Sequence, residues 1–503
     1  MRPTATELRS LGISHASREA PAPPAQPRPL GLTDSHPVGL GVRRPDITLH
    51  WVATDLKIVF VSSTLPRRCG IATFSADLMA AVKAANPRVT CLVAAIDEPN
   101  KDPRYGGEVR WRIRQGDAST YRAAAEAINR SDADIVNVQH EFGLYGTWTD
   151  GVYDDHLRPF LETLRKPVVT TLHTVSPEPT PSMREAIRSA AELSDAIVVM
   201  AAAAVGLLVD RYGLAQVPVV IPHGMPAIKR NGRVRMKKRL GLRGRTIIST
   251  FGLVDPRKGI EYMIEAMPAI VASHPGALYV IAGQTHPELR RHDGEKYRNH
   301  LVETVKRLGL QNHVSFIDEY MAQRDIIELL LASDVYVTPY LDPQQITSGT
   351  LAYALGAGKA IVSTAYLHAR EALADGRGML VPFRDSAALA EAVNSLLDHT
   401  DRKQAFERAS YAYASDMSWP RSGKHWLALM RLLALSSLAK SGRLSVPWSR
   451  ANCGMGAWRG RSGAGLTGAT QPAPPLFSEL SVVADGLDNA HQQNQSKEVF
   501  MKD

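Results

Sequence analysis

Short, nearly continuous apolar runs alternate with amphipathic stretches through most of this chain. In the first half, the runs with strand character are Lys57 to Ser62, Val89 to Ala94, Ile135 to Gln139, Val168 to Leu172, Ala196 to Val199 and Val219 to Ile221. In the second half they are Thr246 to Phe251, Ala277 to Ala282, His313 to Ile317, Val335 to Thr338, Ala360 to Ser363 and Met379 to Val381. Runs rich in β-branched residues and without polar alternation are typical of strands covered on both faces, so they predict parallel sheets.

The stretches between these runs have helical spacing. After Gly259, for example, Ile260, Met263, Ile264 and Met267 fall on one helix face. Because strand and helix alternate in two successive series, we predict an α/β fold of two doubly wound, Rossmann-like domains that face a central cleft. Ligands of such sheets bind at the carboxyl ends of the strands.

Composition divides the chain into four parts. Residues 1–53 are rich in proline and residues 441–503 in glycine and polar residues, and both segments are predicted to be disordered extensions. The first domain is predicted over 54–225 and the second over 226–440, whose last helices are free to pack back on the first domain. The boundary falls after Pro222-His223-Gly224, where the chain turns basic and polar.

Charge and cysteine content narrow the class of protein. Lys and Arg outnumber Asp and Glu by 59 to 50, which suits anionic small molecules or an anionic membrane surface. No dense basic run carries interleaved aromatic residues, so no nucleic acid partner is expected. The three cysteines are too few for a disulfide framework, and a cytoplasmic location is expected.

No apolar run is long enough to predict a membrane span. The longest, Ala196 to Val209, falls short of the roughly 18 residues that suggest one. The N-terminal residues lack the continuous apolar core of a secretory signal, so none is expected. Peripheral contact with a membrane stays open.

Two turns of the second domain have the character of anion sites. A polar loop from Gln344 leads through Ser348 and Gly349 into an apolar helix, and the amides of such a helix start bind phosphate. Upstream, the strand that ends at Phe251 is followed by Arg257 and Lys258 at another helix start. Two anion-binding turns in one domain indicate a diphosphate ligand.

The first domain offers polar residues directly after its strands. Gly70 follows one strand at a helix start, His140 and Glu141 follow another, and His173 a third. A histidine beside a carboxylate suits acid–base work or the binding of sugar hydroxyls. An ordinary strand-to-helix turn and structural loop histidines are the alternatives, and they stay open.

No metal site is expected from the sequence. His140 and Glu141 have no third ligand at metal spacing, and Asp154-Asp155-His156 is interpreted as an exposed acidic surface.

In order and spacing, several short segments of the second domain together resemble the retaining glycosyltransferases of the GT-B fold, in the fourth family of nucleotide-sugar-dependent enzymes. The resemblance covers roughly residues 56–435. It rests on Gly252 with Lys258-Gly259, Ile281 to Gln284, Val314 to Phe316, Ala332 to Pro339, Leu355 to Lys359, Gly378 to Pro382 and Ser418-Trp419.

The resemblance implies transfer of a hexosyl group from a nucleotide-diphosphate sugar to a glycan or other hydroxyl acceptor, with retention and without a metal or further cofactor. It assigns catalytic roles to His173, Lys258 and Gln345, and acceptor binding to His140 and Glu141. The donor-binding residues that it implies are Gly70, Arg257, Lys258, Gln345, Ser348, Gly349, Thr350, Leu351 and Tyr353.

Two departures from the family pattern stand out. Gln345 and Tyr353 occupy the positions of two usual glutamates, and Leu253 replaces an arginine, which leaves Arg257 as the second cation. A neighbouring subfamily shares these variations. The missing glutamates motivate one alternative, a non-catalytic glycan- or nucleotide-binding protein. A sugar-nucleotide epimerase or phosphorylase of the same fold is a second.

Overall fold

The computed structural model describes residues 55–230 and 232–441, which fall within a single compact unit. The predicted extensions, over 1–53 and beyond 441, lie outside the described residues. None of the described helices combines the length and the apolar character that crossing a membrane takes.

The first domain is built on a seven-stranded parallel sheet with the order β3-β2-β1-β4-β7-β8-β9. Its strands are β1 (Lys57–Ser62), β2 (Thr90–Asp97), β3 (Val109–Arg114), β4 (Ile135–His140), β7 (Val168–Leu172), β8 (Ala196–Val199) and β9 (Val219–Val220), and a separate hairpin contains β5 (Gly146–Thr149) and β6 (Val152–Asp155). Its helices are α1 (Gly70–Ala85), α2 (Ala118–Arg130), α3 (Phe142–Tyr145), α4 (Leu157–Thr163), α5 (Pro181–Glu192) and α6 (Ala203–Asp210).

The second domain is built on a six-stranded parallel sheet with the order β12-β11-β10-β13-β14-β15. Its strands are β10 (Thr246–Phe251), β11 (Ala277–Ala282), β12 (Val314–Ile317), β13 (Val335–Thr338), β14 (Ala360–Thr364) and β15 (Met379–Val381). Its helices are α7 (Arg233–Arg239), α8 (Ile260–Ser273), α9 (Pro287–Asp293), α10 (Lys296–Arg307), α11 (Gln323–Ala332), α12 (Gly349–Gly356), α13 (Leu367–Ala372), α14 (Ser386–Asp398), α15 (Thr400–Ala414) and α16 (Trp419–Lys440), with short 3₁₀ turns at Pro256–Lys258 and Ser415–Met417.

The expected pair of doubly wound α/β domains is confirmed. The continuous apolar runs are central strands with both faces covered: all six residues of β11 are buried, as are five of the six in β1. On α8 the predicted stripe of Ile260, Met263, Ile264 and Met267 is fully buried against the second sheet.

The last described helix, α16, returns to the first domain. Trp426 and Met430 on this helix are buried in one core cluster with Leu56, Ile58 and Phe74. At its first residue, Trp419, this helix packs closely against the segment that joins the two domains. A side-chain carbon at Gly224 would collide with the Trp419 ring. The first domain therefore depends on the last described helix for part of its core.

The Asp154-Asp155-His156 segment is only partly the exposed surface that was expected. A strand, β6, leads into it, and Asp154 is exposed, but His156 is buried. The Asp155 carboxylate accepts from the amide of Leu157, the first residue of α4, at 2.9 Å, and burial raises the pKa of Asp155 to about 6. This aspartate therefore has a structural role at a helix start.

Candidate active site

A cleft of about 830 Å³ lies between the two domains, at the carboxyl ends of both sheets. The predicted site residues that line it are Gly70, Glu141, His173, Arg257, Lys258, Gln345, Gly349, Thr350 and Tyr353. Three others, His140, Ser348 and Leu351, are buried and do not line it. Predicted site residues from both domains therefore line one cavity.

Lys258 presents its ammonium group to this cleft from the turn before α8. The Nζ atom lies 3.9 Å from the centre of the Tyr340 ring, in a cation–π arrangement. Burial lowers the pKa of Lys258 to about 8, an effect that the nearby Asp255 carboxylate opposes. Tyr340 in turn connects to α12, since its hydroxyl and that of Thr350 are 2.6 Å apart.

The start of α12 leaves backbone donors available. Ser348 caps the helix, accepting from the amide of Leu351 at 3.3 Å, and its own amide donates to Nδ1 of His368 at 2.9 Å. Within the described part of the chain, the amides of Gly349 and Thr350 have no hydrogen-bond partner. Two free N–H groups at a helix start, on the cleft side and near Lys258, form a seat for an anion. Ser348 and Leu351 lie behind the cleft wall, and the hydrogen bond between them fixes the first turn of the helix that carries this seat.

Two glycines bring the strand ends of this domain close together. Gly252 and Gly283 both have positive φ, at 129° and 143°, and a side-chain carbon at Gly283 would collide with the carbonyl oxygen of Gly252. Both residues line the cleft. The absence of side chains here leaves room at the cleft floor beside Lys258.

Arg257, the second predicted cation, is already paired. Its guanidinium donates to both carboxylate oxygens of Asp255, at 3.2 and 2.9 Å, and this contact raises the pKa of Arg257. Asp255 also accepts from the backbone amide of Arg257, so the carboxylate is fixed in the turn. The side chain of Arg257 is 73% exposed. Its charge is therefore largely offset, and Lys258 is the better-placed cation of the two.

His173 is held in one tautomer by a chain of buried amides. Gln139 donates to Thr171 and to Asn137, which leaves its Oε1 to accept from Nε2–H of His173 at 2.8 Å. The Nδ1 atom is therefore the unprotonated acceptor. Burial, reinforced by nearby histidines, lowers the pKa of His173 to about 3, so the ring is neutral at physiological pH.

A second histidine, His223, meets α12 directly. Its Nδ1–H donates to the carbonyl of Gly224 at 2.7 Å, which leaves Nε2 as an acceptor that lies 3.1 Å from where a side-chain carbon on Gly349 would stand. Burial lowers the pKa of His223 to about 4. The edge of Phe74 contacts both His173 and His223, with ring centres 4.9 and 5.1 Å apart. In the sequence His223 lies at the predicted domain boundary, so it was weaker evidence for a site than His173.

The side chain of Glu141 lies in the cleft, whereas that of its neighbour His140 lies in the core. The Glu141 carboxylate lies in the cleft and accepts from the hydroxyl of Thr174 at 2.7 Å and the amide of Phe142 at 3.1 Å. Burial raises its pKa, against the lowering effect of these two hydrogen bonds and, to a smaller extent, of Arg257. The His140 ring is instead stacked on Tyr145 inside the core. Its predicted role in acceptor binding stays a prediction, with the ring outside the cleft lining.

The two residues that replace the usual glutamates differ in their surroundings. Gln345 donates from Nε2 to the carbonyl of Thr347 at 3.0 Å, which leaves its side-chain oxygen as the free acceptor. Tyr353 accepts from Nε2 of Gln323 at 3.0 Å, and the same nitrogen lies 3.2 Å from Oδ2 of Asp77 on α1. The Gln323 side chain therefore connects Asp77 of the first domain with Tyr353 of the second.

Sequence analysis missed Asp77, Gln323 and Tyr340 as site residues. Asp77 and Gln323 lie on helices, where a polar residue on an exposed face carries no signal of what it will meet. Tyr340 follows β13, and its position after a strand was the one available signal. Among the described residues, no group of three His, Cys, Asp or Glu side chains is arranged to hold a metal ion.

Two Rossmann-like domains that face one cleft define the GT-B class of fold, and here an anion seat lies on one side of the cleft and histidines on the other. The family described as Glycosyl transferases group 1 matches residues 234–413, and Glycosyltransferase Family 4 matches residues 69–227. Together these matches span more than half of the chain. The chain belongs to the group 1, family 4 glycosyltransferases.

Among named relatives, the D-inositol 3-phosphate glycosyltransferase of Nocardia farcinica is 24% identical over 325 residues, which are 59% of this chain and 69% of the relative. Spore coat protein SA of Bacillus subtilis is 26% identical over 202 residues, 39% of this chain and 52% of the relative. The chain thus spans about half the length of the latter relative.

Solved structures share the fold. HepE of Anabaena, in complex with UDP and glucose, superposes with a TM-score of 0.57 at 17% identity, covering 76% of this chain and all of that one. A sucrose-phosphate synthase from Thermosynechococcus elongatus superposes with a TM-score of 0.59 at 16% identity, over 76% of this chain and all of the other.

Proposed function

We propose that this protein transfers a hexosyl group from a nucleotide-diphosphate sugar to a hydroxyl acceptor, with retention of the anomeric configuration. The observation that carries the proposal is one anion seat in the cleft. It combines the Lys258 ammonium with the two unpartnered amides of Gly349 and Thr350. A diphosphate is the leaving group that such a seat fits.

The seat contributes to catalysis through electrostatics. As the bond between the sugar carbon and the diphosphate oxygen breaks, negative charge grows on the diphosphate, where Lys258 and the two amides stabilise it. The acceptor oxygen forms the new bond on the same face, and its proton passes to a diphosphate oxygen. No group of the protein has to form a covalent bond to the sugar in this scheme. Metal independence stays a prediction.

The groups facing this seat suit a sugar. Neutral His173, with Nδ1 unprotonated, accepts a hydrogen bond from a donor-sugar hydroxyl, and the free oxygen of Gln345 accepts another. Glu141, on the first-domain wall, accepts from a hydroxyl of the acceptor. All three are hydrogen-bond acceptors, which matches a ligand rich in O–H donors.

The test of this proposal is a transfer assay with UDP- and GDP-hexoses in EDTA, with oligosaccharides and inositol phosphates as acceptors. Both bases are included because HepE was solved with UDP and a relative from Corynebacterium glutamicum is named as GDP-mannose-dependent. The product's anomeric configuration is read by NMR. We expect Lys258→Ala to lower kcat/KM at least about a hundredfold, because it removes charge stabilisation from the transition state.

The matched control is Lys238→Ala, an exposed lysine on α7, which should keep full activity. Unchanged turnover in Lys258→Ala would remove the diphosphate assignment. Nucleotide binding without transfer would instead indicate a binding protein, while an isomerised donor or a free sugar phosphate would indicate an epimerase or a phosphorylase.

A further inference from the structure

Asp77 is a carboxylate of the first domain that reaches the second. It lies on α1, lines the cleft, and is half-buried. Its Oδ2 accepts from Nε2 of Gln323 at 3.2 Å, and that amide also donates to the Tyr353 hydroxyl at 3.0 Å. The carboxylate therefore faces residues of the second domain at the position where α12 and α11 meet.

The side-chain partners of Asp77 are neutral groups of the second domain. Among the described residues no cation forms an ion pair with it, and its side-chain contacts are with neutral groups. Burial raises its pKa, and hydrogen-bond contacts with Gln323, Trp419 and Tyr353 act against that rise. A half-buried carboxylate accepts several hydrogen bonds, so a ligand that brings hydroxyl donors completes its coordination.

The distance from the anion seat identifies those hydroxyls. Tyr353 stands four residues after Gly349 on α12, one helical turn or roughly 6 Å along the axis. In any nucleoside diphosphate the ribose is joined to the diphosphate through one ester oxygen and a methylene group. Its 2′- and 3′-hydroxyls therefore come within reach of the next turn when the diphosphate lies at the start of the helix.

We propose that Asp77 binds the ribose hydroxyls of the donor nucleotide from the opposite domain, an inference that rests on the proposed function. The two carboxylate oxygens accept from the two neighbouring hydroxyls, and Gln323 and Tyr353 position the carboxylate and the sugar. A donor held by the second domain thereby gains a contact with the first. This contact selects ribonucleotides over deoxyribonucleotides.

The experiment is a binding cycle measured by calorimetry. UDP is compared with 2′-deoxy-UDP and GDP with 2′-deoxy-GDP, on the full chain and on the Asp77→Asn variant. For the wild type, loss of one hydroxyl should weaken binding about tenfold, the size of a hydrogen bond to a charged group. In Asp77→Asn the ribonucleotide should bind about tenfold more weakly, and the penalty for the missing hydroxyl should fall below about threefold.

Two further variants separate ligand binding from domain bridging. Gln323→Ala removes the bridge but leaves the carboxylate, so it should keep the deoxy penalty. Asp150→Asn, at an exposed hairpin turn with positive φ that asparagine tolerates, is the matched control and should change nothing.

An unchanged deoxy penalty in Asp77→Asn, or equal effects of Asp77→Asn and Gln323→Ala on that penalty, would overturn the assignment. If the wild type binds neither UDP nor GDP, the proposed function fails first and this inference fails with it. If Asp77→Asn does not fold, Asp77→Glu takes its place. A glutamate that leaves the deoxy penalty at its wild-type size while its longer side chain displaces the carboxylate would count against direct contact.

Discussion

The chemistry of the cleft depends most on the protonation of Lys258. Burial lowers its pKa to about 8, with Arg257 acting in the same direction and Asp255 against it. Below that pH the ammonium is charged and attracts a diphosphate. Above it the amine is neutral, and only the α12 amides remain. The sign of the pH dependence follows directly: affinity falls as the pH rises through about 8.

Nucleotide binding should therefore weaken with rising pH on the alkaline side. Between about pH 7 and about pH 9, the Kd of UDP or GDP should rise about tenfold, because one pH unit above the pKa leaves about a tenth of the lysine charged. In Lys258→Arg the guanidinium stays charged over this range, so its Kd should stay level. Parallel profiles for the two proteins would show that another group controls binding.

Two histidines at strand ends show what residue type alone cannot settle. His140, the last residue of β4, and His173, directly after β7, lie at the carboxyl edge of neighbouring strands, as predicted. Only His173 has its ring in the cleft, because Phe74 and Gln139 fix it there. Tyr145 stacks on the other ring and keeps it in the core. The difference arises from packing partners that are distant in sequence.

At the scale of the element, α12 is the part on which the site depends. Gly349 does not need a left-handed backbone, since its φ is not among the positive values. Its missing side chain instead leaves space for His223, whose Nε2 would lie 3.1 Å from an added carbon and whose Cε1 would lie 3.3 Å away. The glycine is therefore required by contact with the other side of the cleft rather than by the helix itself.

Gly349→Ala should weaken nucleotide binding about tenfold without unfolding the protein. Alanine favours the helix by up to about 1 kcal/mol, yet it displaces either His223 or the amide seat. Calorimetry with UDP and GDP, together with the melting temperature, measures both effects. Gly206→Ala on α6, where an added carbon meets nothing within 4 Å, is the matched control. Unaltered affinity in Gly349→Ala would show that the seat does not need this space.

Most elements that form the sheets were predicted, and the exceptions share a cause. The central strands β1, β7, β10 and β11 begin and end at the predicted residues because both of their faces are buried. The edge strand β3 was missed, since its arginines alternate with apolar residues and face solvent. The hairpin of β5 and β6 was also missed, because it lies outside the main sheet and most of it is exposed.

At the scale of the whole molecule, the two domains are joined by more than the chain. Besides the Asp77 bridge, Glu371 on α13 accepts from the amides of Ala202 and Ala203, both at 2.9 Å. Those amides begin α6 in the first domain, and Ala202 has no capping side chain of its own. A carboxylate of one domain thus caps a helix of the other, a contact that also suits the helix dipole.

Glu371→Ala should loosen the contact between the domains. Loss of a helix cap costs about 1 kcal/mol, so the melting temperature should fall by a few degrees. The radius of gyration from small-angle scattering should increase if this contact holds the cleft closed. Glu391→Ala, an exposed glutamate on α14, is the control that should alter neither quantity. An unchanged radius in Glu371→Ala would show that this contact does not hold the cleft closed.

The return of α16 to the first domain has a consequence for how the protein is made. The ribosome completes the strands of the first domain at Val220, about 200 residues before Trp426 and Met430 emerge. Until then Leu56, Ile58 and Phe74 lack some of their packing partners, and an apolar face of the incomplete first domain is exposed to water. The first domain synthesised is consequently the last to be finished. An isolated fragment that ends before α16 would be prone to aggregate, whereas a circular permutant that begins with α16 would supply that cover from the outset.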